Sequence, residues 1–177
     1  MAGASRRTGA GPVDLDRPIS PQADIGHVHL KVADLERALG FYRDVLGFGV
    51  RQRWGESAAF LAAGDYHHHI AVNTWASLGA PAPPPGTTGL FHLAIRYPQR
   101  RDLADALRRL LASDIELEGA ADHGVSEALY LRDPDLNGVE LYWDRPPTDW
   151  PSDADGHLAM FTARLDLDDL LGEPPLA

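Results

Sequence analysis

A chain of 177 residues with 44% hydrophobic and 24% charged side chains is long enough to bury a core and too apolar to stay disordered. Its formal net charge of -10, from 26 acidic and 16 basic residues, argues against nucleic acid or an anionic membrane surface as a partner. There is no cysteine, which excludes disulfides, thiolate zinc sites, iron-sulfur clusters and cysteine nucleophiles, so a metal would have to sit on His, Asp or Glu.

Residues 1–22 are rich in Gly, Ala, Arg and Pro without periodicity and read as a flexible leader. Neither an apolar run of about 18 residues nor a signal-peptide core is visible, so the expected compartment is the cytoplasm, with no membrane partner. The first folded unit is expected over 23–76. Val28, Leu30 and Val32 alternate with His27, His29 and Lys31, which predicts a strand with one apolar face and one His-bearing face. Asp34 is the expected N-cap of a helix with apolar positions Leu35, Ala38, Leu39, Tyr42, Val45 and Leu46, and Gly47 its stop. Three strands follow, at Phe48–Arg53, Ala58–Ala62 and His67–Thr74, completing a β-α-β-β-β unit.

Residues 77–89 contain too much Pro and Gly for a helix or a sheet interior and are expected to be a linker or lid. The order then repeats over 90–147. A strand is expected at Leu90–Arg96, a helix capped by Asp102, and strands near Ile115–Gly119, Ala128–Arg132 and Val139–Trp143. Gly26-His27-Val28-His29-Leu30 and Phe91-His92-Leu93-Ala94-Ile95 place a His at the same point of both opening strands. The expected fold is therefore α+β: two β-α-β-β-β modules forming a curved mixed sheet around a metal site, with the helices outside. Residues 148–177 are expected to form a tail with one short helix at Leu165–Leu171, and no chemistry is assigned to it.

Two such strands meeting about a pseudo-twofold axis would bring His27 and His92 together. Glu140 supplies a third donor, because a carboxylate beside Val139, Leu141 and Trp143 is too costly to bury unless paired or bound to a cation. Two imidazoles and one carboxylate form the facial set of non-heme Fe(II), with Mn(II), Zn(II) or Ni(II) as alternatives. For either His alone, a satisfied core histidine is the better reading; the repeat and Glu140 together reverse that. His29 shares the face of His27, and the gap to the helix favours His27. The triplet His67-His68-His69 is open to three readings: a metal tract, a solvated strand end, or part of a site. Strict alternation would place His68 with Ile70 and Val72 as a structural residue.

The run Ile25 to Phe48 resembles the first unit of the vicinal oxygen chelate superfamily, which includes glyoxalases, fosfomycin-resistance transferases, bleomycin-binding proteins and extradiol dioxygenases. The run from His123 through Tyr130 to Glu140 resembles the signature of extradiol ring-cleavage dioxygenases, and with Tyr66–Trp75 the chain is similar to the short catechol 2,3-dioxygenases. The similarity covers about Asp24 to Pro147. It implies His27, His92 and Glu140 as metal ligands, His123 and Tyr130 as contacts to substrate oxygens, and His68 as the acid-base residue with His69 in reserve. A bend at the strand start would reconcile that role of His68 with the alternation argument.

Two positions depart from the signature. Ala121 replaces the preferred residue type two before His123. Leu136 stands where Gly is usual, so Asn137-Gly138 is expected to supply the positive φ angles of that turn.

The resemblance implies an aromatic diol and O2 as substrates, ring cleavage as the reaction and a homodimer as the assembly. Two other readings fit the same fold: a glyoxalase-like or epimerase-like enzyme with a redox-inert metal, and a non-enzymatic drug-binding protein. Trp54, Trp75 and Phe91 could wall a pocket, although ordinary core packing is the expected role.

Overall fold

The computed structural model describes residues 16–176, so residues 1–15 of the expected leader lie outside the described residues. The first module runs β1 (Val28–Lys31), α1 (Leu35–Leu39), a π-helical continuation (Gly40–Val45), β2 (Gly49–Trp54), β3 (Ala58–Ala62) and β4 (Ile70–Asn73). The second runs β5 (Leu93–Tyr97), α2 (Arg100–Ala112), β6 (Gly119–Asp122), β7 (Ser126–Arg132) and β8 (Gly138–Asp144). A 3-10 turn (Pro147–Asp149), β9 (Ala163–Arg164) and α3 (Leu167–Leu171) follow. No helix among the described residues is long and apolar enough to cross a membrane.

The duplication is visible in the strand order. One sheet reads β1-β4-β3-β2 and the other β5-β8-β7-β6, with β9 added at its edge. In both, the opening strand pairs in parallel with the closing one, and the remaining neighbours are antiparallel. A parallel pair cannot be joined by a hairpin. The intervening helix and two strands make the crossover, and this puts the first and last strands of each module side by side.

Local signals account for most of the boundaries. Asp34 is extended and its carboxylate accepts Arg37 N at 2.8 Å, capping α1 as expected. Through the wider π turn that follows, two consecutive aromatics, Phe41 and Tyr42, are both buried. Gly47 then takes φ +85°, ending the helical run.

The N-cap of helix α2 lies three residues before the expected one. Gln99 is its N-cap, and Asp102 sits at N3, where its carboxylate reaches back to accept Gln99 N at 3.1 Å. The residues Ile115–Gly119, expected to be a strand, are mostly a connection, and β6 begins at Gly119.

The apolar faces of both sheets and the helices share one core. Leu30, Val32, Leu39, Leu61 and Ile70 from the first module join Leu103, Leu107, Leu129 and Leu141 from the second and Leu170 from the tail. Polar contacts fasten the halves together. Tyr42 is fully buried and its hydroxyl donates to Asp133 at 2.8 Å, while Asp135 accepts from Ala33 N at 2.9 Å and from Arg37 at 2.7 Å. Burial, then the Asp133 charge, raise the Tyr42 pKa far above the ordinary tyrosine range.

The β7-β8 turn corrects one expectation. Leu136 itself adopts φ +64°, while neither Asn137 nor Gly138 does. Gly138 is needed for a different reason: a Cβ there would lie 2.1 Å from the Phe91 carbonyl oxygen. That close approach holds the residue before His92 against the start of β8.

Candidate metal centre and its histidine-tyrosine chain

On β5 and β8 the register sets Leu93 opposite Val139 and Ala94 opposite Glu140. Side chains alternate across a strand, so His92, which immediately precedes β5, shares a face with Glu140. His92 Nε2 lies 2.9 Å from Glu140 Oε2. β8 lies between β5 and β7, so Glu140 is not a surface acid on an edge strand. On the other neighbour, Tyr130 stands directly opposite Glu140, and its hydroxyl donates to Glu140 Oε1 at 3.2 Å. The next link is His123, whose Nε2 is 2.7 Å from the Tyr130 oxygen. Burial first, then the Glu140 charge, push the Tyr130 pKa up to about 12. The phenol thus keeps its proton at neutral pH. Four residues, drawn from the lead-in to β5, the β6-β7 connection, β7 and β8, form one continuous polar line.

The first module carries a second cluster at the corresponding place. The His27 ring packs 4.4 Å from that of His68 and 6.4 Å from that of His67. His67 Nδ1 and His68 Nδ1 are 2.7 Å apart. β4 begins only at Ile70, so the triplet lies on a bent lead-in to which strand alternation does not apply. That bend leaves His68 beside His27, with the Phe60 ring 5.2 Å away. Burial, followed by the charges of its His neighbours, holds the His68 pKa below the ordinary imidazole value.

The neighbouring histidines are tied to other partners. Trp75 N donates to Asn73 Oδ1 at 3.1 Å, which turns the Asn73 amide nitrogen toward His29 Nε2 at 2.8 Å. His29 Nε2 is therefore the acceptor of an amide, whereas among the described residues His27 is in ring contact with His67 and His68. His69 Nδ1 likewise accepts Ala63 N at 3.3 Å.

The structure thus brings His92, Glu140, Tyr130 and His123 together, and separately brings His27 to His68. Among the described residues, the one set of three whose donor atoms all lie within 4.8 Å of one another is Asp153, Asp155 and His157. That set is wholly exposed, and Asp153 Oδ1 is engaged by Asp155 N and His157 N of its own loop. His92 and Glu140 fit a divalent cation as adjacent imidazole and carboxylate donors. Among the described residues His27 does not join them in a set of donor atoms all within 4.8 Å of one another.

Three aromatics depart from the expected core role. Trp54, Trp75 and Phe91 are 53%, 55% and 82% exposed. Trp54 and Trp75 stack at 6.0 Å, and Trp54 lies 5.4 Å from Phe60. Phe91 is 5.5 Å from His92. These rings flank the two histidine clusters. Sequence reasoning also missed the tail: Phe161 O and Thr162 Oγ1 each lie 3.2 Å from His123 Nδ1. Only the pairing of β9 with β6 brings them there, and no local pattern announces it.

The family model for the Glyoxalase/Bleomycin resistance protein/Dioxygenase superfamily matches residues 24–141, and the chain belongs to that superfamily. It is 40% identical over 155 residues to a catechol-2,3-dioxygenase of Bacillus subtilis (strain 168), covering 88% of this chain and 53% of that one. It is 36% identical over 120 residues to biphenyl-2,3-diol 1,2-dioxygenase 3 of Rhodococcus globerulus, covering 68% of this chain and 63% of the relative. The chain therefore spans about half to under two thirds of the length of these relatives. A glyoxalase/dioxygenase structure from Nostoc punctiforme superposes with a TM-score of 0.59 at 18% identity, covering 75% of this chain and all of that one, which shows the shared fold.

Proposed function

We propose that the chain is a metal-dependent extradiol dioxygenase that opens a catechol-type aromatic ring, with the adjacent His92 and Glu140 as ligands, His27 as a third ligand that the cation would draw in from the first module, and Fe(II) as the metal. The observation that carries this reading is the 2.9 Å approach of His92 Nε2 to Glu140 Oε2, with Tyr130 and His123 leading away from Glu140 on the same face. An imidazole and a carboxylate with cysteine absent suit Fe(II) or Mn(II) better than a thiophilic metal. The likeness to relatives named for diol cleavage supports the substrate class.

When bound, the metal would supply a shared coordination sphere for a diol and O2 and would favour the diol's anion. The remaining roles belong to the protein. His68, half-buried with a lowered pKa, is suited to be neutral at physiological pH and to take a proton from a substrate hydroxyl. The Phe60 ring packs against it edge-on at 5.2 Å. Tyr130 and His123 would hydrogen-bond substrate oxygens, and the exposed Trp54, Trp75 and Phe91 rings offer flat apolar walls to an aromatic ligand.

The test is anaerobic purification followed by metal analysis and an oxygen-electrode assay on a panel of catechols. The expected result is about one Fe(II) per chain and O2 uptake with formation of a yellow product. The variants His27→Ala, His92→Ala and Glu140→Ala should each lose the metal. Full metal retention in His27→Ala would remove it from the ligand set, and turnover that needs no O2 would move the chain to the redox-inert branch of the superfamily.

A further inference from the structure

The tail does not leave the second sheet after β8. Ala159 N donates to Pro151 O at 2.9 Å, Phe161 N to His123 O at 3.3 Å and Leu165 N to Ala120 O at 3.4 Å, with β9 paired to β6 between them. Downstream, Leu165 and Leu170 are buried. Arg100 binds Asp169 and Glu173 at 2.6 and 3.1 Å, and Arg108 donates to the Leu171 carbonyl at 2.9 Å. The segment is therefore a strap anchored at both ends. Its seat is tight: at Gly124, φ +75°, a Cβ would lie 2.6 Å from the Phe161 ring.

The strap brings a carbonyl and a hydroxyl to one nitrogen of His123, and proton counting distinguishes their roles. Glu140 as a carboxylate only accepts, and Tyr130 has one proton. If Tyr130 donates to Glu140 Oε1, the phenol oxygen requires a donor at 2.7 Å, which is His123 Nε2–H. In a neutral ring Nδ1 then has no proton and needs a donor. The Phe161 carbonyl cannot supply one, whereas Thr162 can. With the proton on Nδ1 instead, Nε2 takes the Tyr130 proton, and Glu140 Oε1 faces the phenol oxygen with no hydrogen between them.

We propose that Thr162 is a positioning residue: its hydroxyl donates to His123 Nδ1 and so holds the proton of the neutral ring on Nε2, facing Tyr130 and the space beside Glu140. Removing that donor leaves the Phe161 carbonyl as the strap's only polar group at Nδ1, and the proton moves there. The link from this tautomer to diol cleavage rests on the function proposed above; the tautomer itself does not.

The experiment reads the ring nitrogens directly. Metal-free protein with 15N-labelled histidine is examined by long-range 1H–15N spectra at about pH 8.5, well above the ordinary imidazole pKa of about 6.5. His123 is assigned by its loss in His123→Gln. The wild type should show Nε2 protonated, Thr162→Val should shift most of the proton to Nδ1, and Thr162→Ser should keep the wild-type pattern. An unchanged spectrum in Thr162→Val, as when water replaces the hydroxyl, overturns the proposal, and so does a wild-type ring protonated on Nδ1. In the Fe(II)-loaded enzyme, Thr162→Val should lower kcat about tenfold with KM little changed, which is about 1.4 kcal/mol. An unchanged kcat overturns the catalytic link. A wild type inert toward every diol overturns the ring-cleavage reading and leaves the tautomer result standing.

Discussion

Leu136 holds φ +64° on a side chain that is 62% exposed, and its NH donates to the Asp133 carbonyl oxygen at 2.9 Å. The left-handed region costs a non-glycine residue about 1–2 kcal/mol, and glycine returns part of that in chain entropy. Leu136→Gly should therefore stabilise the protein by about 0.5–1 kcal/mol, read as a higher urea midpoint at unchanged slope. The residue type at 136 was legible as unusual, but its conformation was not. The turn geometry belongs to the Asp133 carboxylate, which accepts from Asp135 N, Asn137 N, the Asn137 amide and Tyr42, the last from 91 positions away. A second test at this scale is Tyr130→Phe. The hydroxyl links His123 to Glu140, so its loss should cost turnover about two- to tenfold, the worth of one hydrogen bond of about 0.5–1.5 kcal/mol, with the fold intact by circular dichroism.

Among the elements, the parallel β5-β8 pair matters most for the site, since its register sets His92 diagonally against Glu140. Gly138 permits that approach. Gly138→Ala would push a methyl into the Phe91 carbonyl, and relief requires β8 to move away from the start of β5. A loss of about 1–3 kcal/mol is expected, together with weaker metal binding, measured by denaturation and by titration with Fe(II) or Mn(II). Alternation and turn residues made these strands visible in the sequence. His68 was harder to place, because alternation assigned it to the core while the start of β4 at Ile70 freed it from strand geometry.

The tail is held by charge as well as by β9. Glu127 is 3% exposed and accepts from Arg100 at 2.7 Å and Arg145 at 2.8 Å, while Arg100 also reaches Asp169 and Glu173 of the α3 region. Glu127→Ala leaves two arginines without their shared partner, and about 2–3 kcal/mol should be lost, less than for a fully buried pair because both arginines are partly exposed. Limited proteolysis should then cut first between β8 and α3. Wild-type cutting kinetics in that variant would show that Arg100 and Arg145 are satisfied by Asp169, Glu173 and Asp122 alone.

Across the whole molecule, one core joins the modules, and the two histidine clusters are carried on separate sheets. If a metal binds the folded state alone, a free concentration of 100 times its Kd should add about 2.7 kcal/mol, seen as a rise in Tm that EDTA reverses. His92→Ala should abolish that rise, and a rise that persists in His92→Ala would place the cation elsewhere on the chain. The sequence by itself determined the duplicated β-α-β-β-β order, the Asp34 cap, the His at each opening strand and the glutamate on the last strand, because alternation, helical spacing and capping are local. The tertiary structure decided which donors share a face, which histidines are already hydrogen-bonded and how the tail reaches His123. Those depend on strand register and chain return over tens of residues, where every residue in between contributes to the position of the last.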